Sequence, residues 1–287
     1  HCVQQKAITQ AAIDRKLTLI AWEAMHRWSA RGDWQMHTFQ RNNEIAGYAG
    51  VHHAMNLLGI DGNFGPDRKA VVISYGGVSR GAIRALQGRG VQDITVFTHK
   101  DYSLSADRMV GVHYYQFDED RAGNLVSLHP DHPARPFVEE LADVDILVNG
   151  ILQDTDHPLM IVPEDQNERL KPGCLIVDIS CDEGMAFSFA KPTNFEAPIF
   201  KVGGVFYYAV DHTPSYLWNA ATWEISKSLI PYLPIVMGGP KKWEASETIR
   251  RAIEIKEGVI QNPKILSFQN RSGEYPHAEL SVSNQSK

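Results

Sequence analysis

Residues 69–98 read "KAVVISYGGVSRGAIRALQGRGVQDITVFT". An apolar, β-branched run over 69–75 meets a pair of glycines. A helical period over 78–90 then closes on Gly90, and a second apolar run covers 93–98. Strands without polar alternation are buried on both faces, and a strand–helix–strand unit of this length joins parallel neighbours. The pattern continues to about residue 205, with strands at 110–117, 145–150 and 173–180, a helix over 134–144 and a short helix over 163–170. The expected class is α/β, with a doubly wound parallel sheet.

The flanks follow other periods. Residues 42–59 keep a helical spacing up to Gly59. Over 213–230, Leu217, Ala221, Ile225 and Leu229 fall on one stripe, with Pro214 at the helix start. The simplest arrangement inserts a sheet domain with its entry helix (46–209) into a second domain built from 1–45 and 210–287, with the active site in the cleft between them.

The 287 residues are 43 % apolar and 22 % charged, the composition of a soluble globular protein. A formal net charge of −6 argues against a nucleic-acid surface. No apolar run approaches the roughly 18 residues that span a bilayer. Cys2, Cys174 and Cys181 lack metal-ligand spacing and read as free thiols of a reducing cytoplasm, with no metal site. The chain opens at His1 without a methionine, so a segment upstream is expected to be missing.

The glycines at 76 and 77 fit a dinucleotide-binding turn, in which one glycine permits the tight turn, a second lets the backbone approach a pyrophosphate, and a third lets helix pack on strand. Ser74 stands where the first belongs, Gly76 can take the second role and Ser79 the third, while Gly81 adds room one turn further on. Amides near Gly77 and Val78 would open a helix N-terminus to an anion. An ordinary strand–turn–helix is the alternative. Past the second strand, Thr98, His99 and Lys100 replace the acid that binds ribose hydroxyls in NAD enzymes, which favours NADPH; Asp101 keeps NADH open. Further on, Asp178 and Asp182 follow a strand, and Asp211, His212 and Thr213 precede a helix. An Asp after a strand is more often a turn or cap residue than a ligand, Asp211 or Thr213 could cap the helix at Pro214, and His212 could be a packed surface histidine.

Taken together, "SYGGVSRGA", "DILVNGILQDTDHP", "KPGCLIVDISCDEGMAFSF" and "VDHTPSYLWNAATWEISKSLIPYL" resemble, in the same order, the alanine dehydrogenase and pyridine nucleotide transhydrogenase superfamily. The resemblance is closest to the branch of carboxyethylornithine synthase and saccharopine-forming reductases. It covers nearly the whole chain, and Ser74 departs from it. The resemblance implies a Rossmann-type fold and settles the glycine turn as a phosphate cradle.

It also implies site roles. His1 maps onto a catalytic histidine and Asp182 onto the acid beside the nicotinamide. Asn149, Gly150, Ile151 and Leu152 map onto the segment beneath the coenzyme, and Asp211, His212 and Thr213 onto the segment closing over it. The implied reaction is an NADPH-dependent reductive condensation of an ornithine- or lysine-like amino acid with a small 2-oxo acid such as pyruvate. Alternatives are pyruvate with ammonia, lysine with 2-oxoglutarate, or a non-catalytic nucleotide-binding protein. The resemblance further implies a homo-oligomer, and activity that depends on the missing N-terminal part, which a separate chain could supply.

Overall fold

A computed structural model describes residues 2–100, 107–154 and 157–280. Contacts divide them into two units, one of 1–40 with 223–287 and the other Arg41–Thr222. These bounds are wider around the sheet than 46–209, for a steric reason. A helix, α1 (Gln40–Leu57), packs backbone to backbone on the sheet's first crossover helix, and the hydroxyl of Thr213 donates to Ala46 O at 3.0 Å. Both ends of the insertion are thereby held to the sheet.

The larger unit is built on a nine-stranded sheet. In chain order its strands are β1 (Lys69–Ile73), β2 (Asp93–Thr98), β3 (His113–Glu119), β4 (Leu125–Leu128), β5 (Arg135–Pro136), β6 (Ile146–Asn149), β7 (Leu175–Asp178), β8 (Ile199–Val202) and β9 (Val205–Tyr208). The spatial order is β8-β9-β7-β6-β1-β2-β3-β4-β5. The six strands from β9 to β3 are parallel, while β8 and the β4–β5 hairpin are antiparallel edges. Numbered by appearance, the parallel strands run 3-2-1-4-5-6, so the order reverses between β1 and β6. The expected doubly wound sheet is present.

Alternate residues of each strand feed two cores. Val71, Ile73, Phe97, Leu147, Ile176 and Tyr207 face one side, where the short helix Phe137–Leu141 and the small Met160–Val162/Ala186–Phe187 ladder cover them. Ala70, Val72, Val96, Val148, Val177 and Tyr208 face the other, under α1 and α2 (Gly77–Gly88). Each large apolar side chain buried this way contributes about 1.5–3 kcal/mol.

The helix expected over 134–144 shrinks to Phe137–Leu141 because Arg135 and Pro136 pair with β4 as an edge strand. The one expected from 213 begins as a 3₁₀ turn, Thr213–Leu217, before the α-helix Trp218–Leu229. Gly90 does end α2 in the left-handed region, at φ +81°.

In the smaller unit Ile253–Lys256 pairs with Leu19–Ile20 on one side and Val259–Ile260 on the other, and a hairpin joins His26–Trp28 to Trp34–His37. Ile13, Ile255 and Ile265 form one of its cores, and Met25, Phe39 and Ile249 another. No helix among the described residues is long and apolar enough to cross a membrane.

Gly81 does not leave room for a ligand. A Cβ there would lie 1.8 Å from the carbonyl oxygen of Glu44, and one on Gly47 would lie 1.9 Å from that of Val78. The two glycines let the backbones of α1 and α2 meet. Gly81→Ala is therefore expected to lower unfolding free energy by about 1–3 kcal/mol, read from the urea midpoint.

Candidate functional site

The glycine turn forms because β1 runs out at Ile73 and the chain reverses at Ser74, whose amide donates to Phe97 O at 2.7 Å. Ser74 adopts φ +81°, a conformation that costs a residue with a Cβ about 1–2 kcal/mol. Gly76 is extended (φ −84°, ψ −168°), and α2 starts at Gly77 with no side chain capping it. The first amides of α2 thus keep their donor capacity. A Cβ added to Gly76 would meet nothing nearer than Ser74 Oγ at 4.0 Å, so open space lies before them. A diphosphate fits that cradle.

Ser79 takes the part of the third glycine from inside. It is fully buried, and its hydroxyl donates to Ile73 O at 3.3 Å. A Cβ on Gly150 would fall 2.5 Å from Ser79 Oγ and 3.3 Å from Val78 Cγ1, so the residue leaving β6 must be a glycine for α2 to lie this close. Gly76, Gly77, Val78, Ser79 and Gly150 are therefore brought together at the point where the strand order reverses.

At the end of β2, Thr98 is buried and accepts the Lys100 amide at 3.3 Å. His99 lies 4.1 Å from the Phe117 ring centre and 4.0 Å from Asp118, drawn toward β3. Lys100 is exposed and ion-pairs with no described residue. Asp101 lies outside the described residues, as does His1.

Beyond β6 and β7 the organising group is Asp178. It is fully buried and accepts from Tyr207 Oη at 2.6 Å, Asn149 Nδ2 at 3.0 Å and the Ser180 amide at 3.1 Å. Burial without a cationic partner pushes its pKa up to about 6 despite those hydrogen bonds. Asn149, also fully buried, accepts the Ile151 amide at 3.2 Å, and Ser180 Oγ donates to Ile151 O. Asn149 is thus committed to scaffolding, and it fixes the loop carrying Gly150, Ile151 and the 97 % exposed Leu152. Cys181 Sγ lies 3.3 Å from both Asp178 O and Ala209 O, which share its one S–H, and burial raises its pKa, so it stays protonated. Asp182 follows, half-buried, with no ion pair to a described residue, and burial raises its pKa.

After β9, Asp211 and His212 are exposed and paired at 3.1 Å, with His212 left-handed at φ +59°. Neither Asp211 nor Thr213 caps the following helix. Asp211 Oδ1 accepts the His212 amide at 2.8 Å, while Thr213 is buried against α1. Thr213 is a tie between elements.

All of these segments leave the carboxyl ends of parallel strands, the edge on which open α/β sheets bind ligands. A separate polar hollow of about 350 Å³, bordered by Lys69, Asp93, His113 and His132, lies at the amino ends and includes none of the motif residues.

Residues 67–263 match the model of the alanine dehydrogenase/PNT C-terminal domain. The chain belongs to this family. It is 30 % identical over 198 residues to the N(5)-(carboxyethyl)ornithine synthase of Clostridium botulinum, covering 68 % of this chain and 51 % of that protein. It is 25 % identical over 257 residues to the alanine dehydrogenase of Mycolicibacterium smegmatis, covering 86 % and 64 %. A solved L-alanine dehydrogenase superposes with a TM-score of 0.69 at 21 % identity, over 93 % of this chain and 73 % of that one, which shows the shared fold. The chain thus spans between half and two thirds of the length of these two curated relatives.

Sequence reasoning missed Tyr207 and Ser180, which complete the Asp178 cluster. Their only signal was position, one on a strand and one beside the acid.

Two expectations follow. Ser74→Gly should raise unfolding free energy by about 1 kcal/mol, measured by denaturant titration, because it relieves the left-handed backbone. The Asp178 carboxyl holds its proton more tightly folded than unfolded. Its contribution to stability is complete below about pH 4 and lost as pH rises through 6, on the order of 2–3 kcal/mol. Asp178→Asn should remove that descending step from the stability–pH profile.

Proposed function

We propose that the larger unit is the coenzyme domain of an NADPH-dependent oxidoreductase that reductively joins an amino acid's amine to a small 2-oxo acid. The bound nicotinamide supplies hydride for the imine carbon. The chain's own residues do the rest. Amides at Gly76–Val78 hold the diphosphate. Gly150 and Ile151, fixed by Asn149 and Asp178, form a rigid floor beneath the coenzyme. Lys100 and the Thr98 hydroxyl answer a 2′-phosphate in place of ribose hydroxyls.

The observation that carries this reading is Asp182, a half-buried carboxylate without an ion-pairing partner among the described residues, on the same sheet edge as the open glycine cradle. Fixed negative charge there stabilises the cation that forms when the amine condenses and water departs. A protein that only senses nucleotide would need no such charge. An amine larger than ammonia is favoured by the resemblance to carboxyethylornithine synthase, which the 30 % identity supports.

The decisive assay follows loss of reduced-nicotinamide absorbance with pyruvate plus ornithine, pyruvate plus lysine, pyruvate plus ammonia, and lysine plus 2-oxoglutarate. In the full-length protein, turnover with ornithine or lysine and pyruvate is expected; turnover with ammonia as the one accepted amine would make this an alanine dehydrogenase. Asp182→Asn should lower kcat/KM by roughly 10²–10³-fold while leaving the coenzyme Kd within about twofold. Burial raises the pKa of this acid and the ionised form is required, so the acid limb of kcat/KM should lie above the ordinary carboxylate range and vanish in the variant.

A further inference from the structure

Arg80 stands in the first turn of α2, one residue beyond Ser79, and sequence reasoning gave it no role. Its guanidinium lies 4.2 Å from the ring centre of Tyr75, the residue between Ser74 and Gly76 in the turn itself. Nη1 donates to the carbonyl of Asp107 at 2.9 Å and to its carboxylate at 2.7 Å. Tyr75 Oη also donates to Asp107 O at 2.7 Å and lies 3.1 Å from Tyr114 Oη, with the two rings edge to face. Tyr114 is the register partner of Val96 in β2, and Thr98 lies two residues further along that strand on the same face. The assembly therefore runs from the glycine turn across β2, beside the end of the strand where the adenosine ribose of a dinucleotide lies in this topology.

We infer that Arg80 is a specificity-determining residue that binds the 2′-phosphate of the coenzyme; this rests on the reading of the edge as an NADPH site. Three facts support it. The Arg80 side chain is only 19 % exposed, lies over the Tyr75 ring and is tied to Asp107, so its fork is oriented before any ligand arrives. Nε and Nη2 donate to no described residue, leaving one edge of the guanidinium for a bidentate acceptor. Its carboxylate partner, Asp107, is 89 % exposed, and such solvent-screened pairs are weak. A phosphate near two negative charges displaces a screened carboxylate from the guanidinium and keeps the stack on Tyr75. Lys100 supplies a point charge to the same group, whereas Arg80 supplies direction.

The test measures Kd for NADPH and for NADH by reduced-nicotinamide fluorescence in the 287-residue chain, with 2′,5′-ADP and 5′-ADP as competitors. Arg80→Met keeps the apolar stem over Tyr75. It should weaken NADPH and 2′,5′-ADP by roughly 10–100-fold while NADH and 5′-ADP stay within about twofold. Arg80→Lys should fall between, and thermal melts of both variants should track the parent. An unchanged NADPH/NADH ratio in Arg80→Met overturns the inference. So does an equal loss for both coenzymes, which would mean that Arg80 acts on the turn or through Asp107 on ribose hydroxyls. If Lys100→Ala erases the preference and Arg80→Met does not, the NADPH reading stands and Arg80 falls. If the parent chain binds neither coenzyme, the reading of the edge fails and takes the inference with it.

Discussion

A carboxylate with no cation to answer it holds the ligand-binding edge of this sheet in shape. Asp178 closes β7, and its acceptors are filled from three directions: Asn149 at the end of β6, Tyr207 on β9, and the backbone of its own following loop. Each bond is to a neutral donor, so burial dominates and the acid is weak. The advantage lies in geometry. A carboxylate accepts from several donors at once, and a buried network that is fully satisfied admits few alternative arrangements. Loops leaving adjacent strands are thereby fixed relative to one another, which a dinucleotide spanning several strand ends requires.

A second constraint acts on the opposite side of the switch point. Helix α2 must approach β6, and α1 must approach α2, more closely than side chains normally allow. Gly150 makes the first approach possible; Gly47 and Gly81 make the second possible. The small residues of the turn therefore divide into two groups. Gly76 faces open space, whereas Ser79, Gly81 and Gly150 serve packing. A glycine-rich motif read as one ligand-binding device leaves open space at Gly76 and is a joint between elements at Ser79, Gly81 and Gly150.

That division explains what the sequence disclosed. The alternation of apolar strands with a helical period was enough for the parallel sheet, because strands buried on both faces leave no polar register to misread. That Asp182 and Gly76 lie past the carboxyl ends of strands followed from the strand pattern, whereas the roles expected for them came from the family resemblance. The Asp178 cluster did not, since a tyrosine on one strand and an acid on another, 29 residues apart, carry no local pattern. The β4–β5 edge hairpin was hidden for a related reason. Pro136 sits at an edge, where a missing amide costs little, so a helix-like apolar spacing over 134–144 outweighed it in the sequence. Thr213 read as a cap because caps are local, but its hydroxyl found a partner 167 residues away.

The charges along the carboxyl edge are not evenly spread. Arg80 and Lys100 lie toward β2, whereas Asp182 and Asp211 lie past β7 and β9. Asp107 neutralises Arg80 only from a solvent-exposed position, and the exposed His212 ring lies 3.1 Å from the Asp211 carboxylate. Fixed charges of opposite sign at the two ends of one edge orient a molecule that is anionic at one end and cationic at the other. A phosphorylated adenosine at the β2 end and a reacting centre that gains positive charge at the β7 end satisfy both. The reverse orientation would set phosphate against Asp182 and the developing cation against Lys100. The coenzyme direction and the charge at the reacting carbon that are proposed above therefore rest on one arrangement of charges.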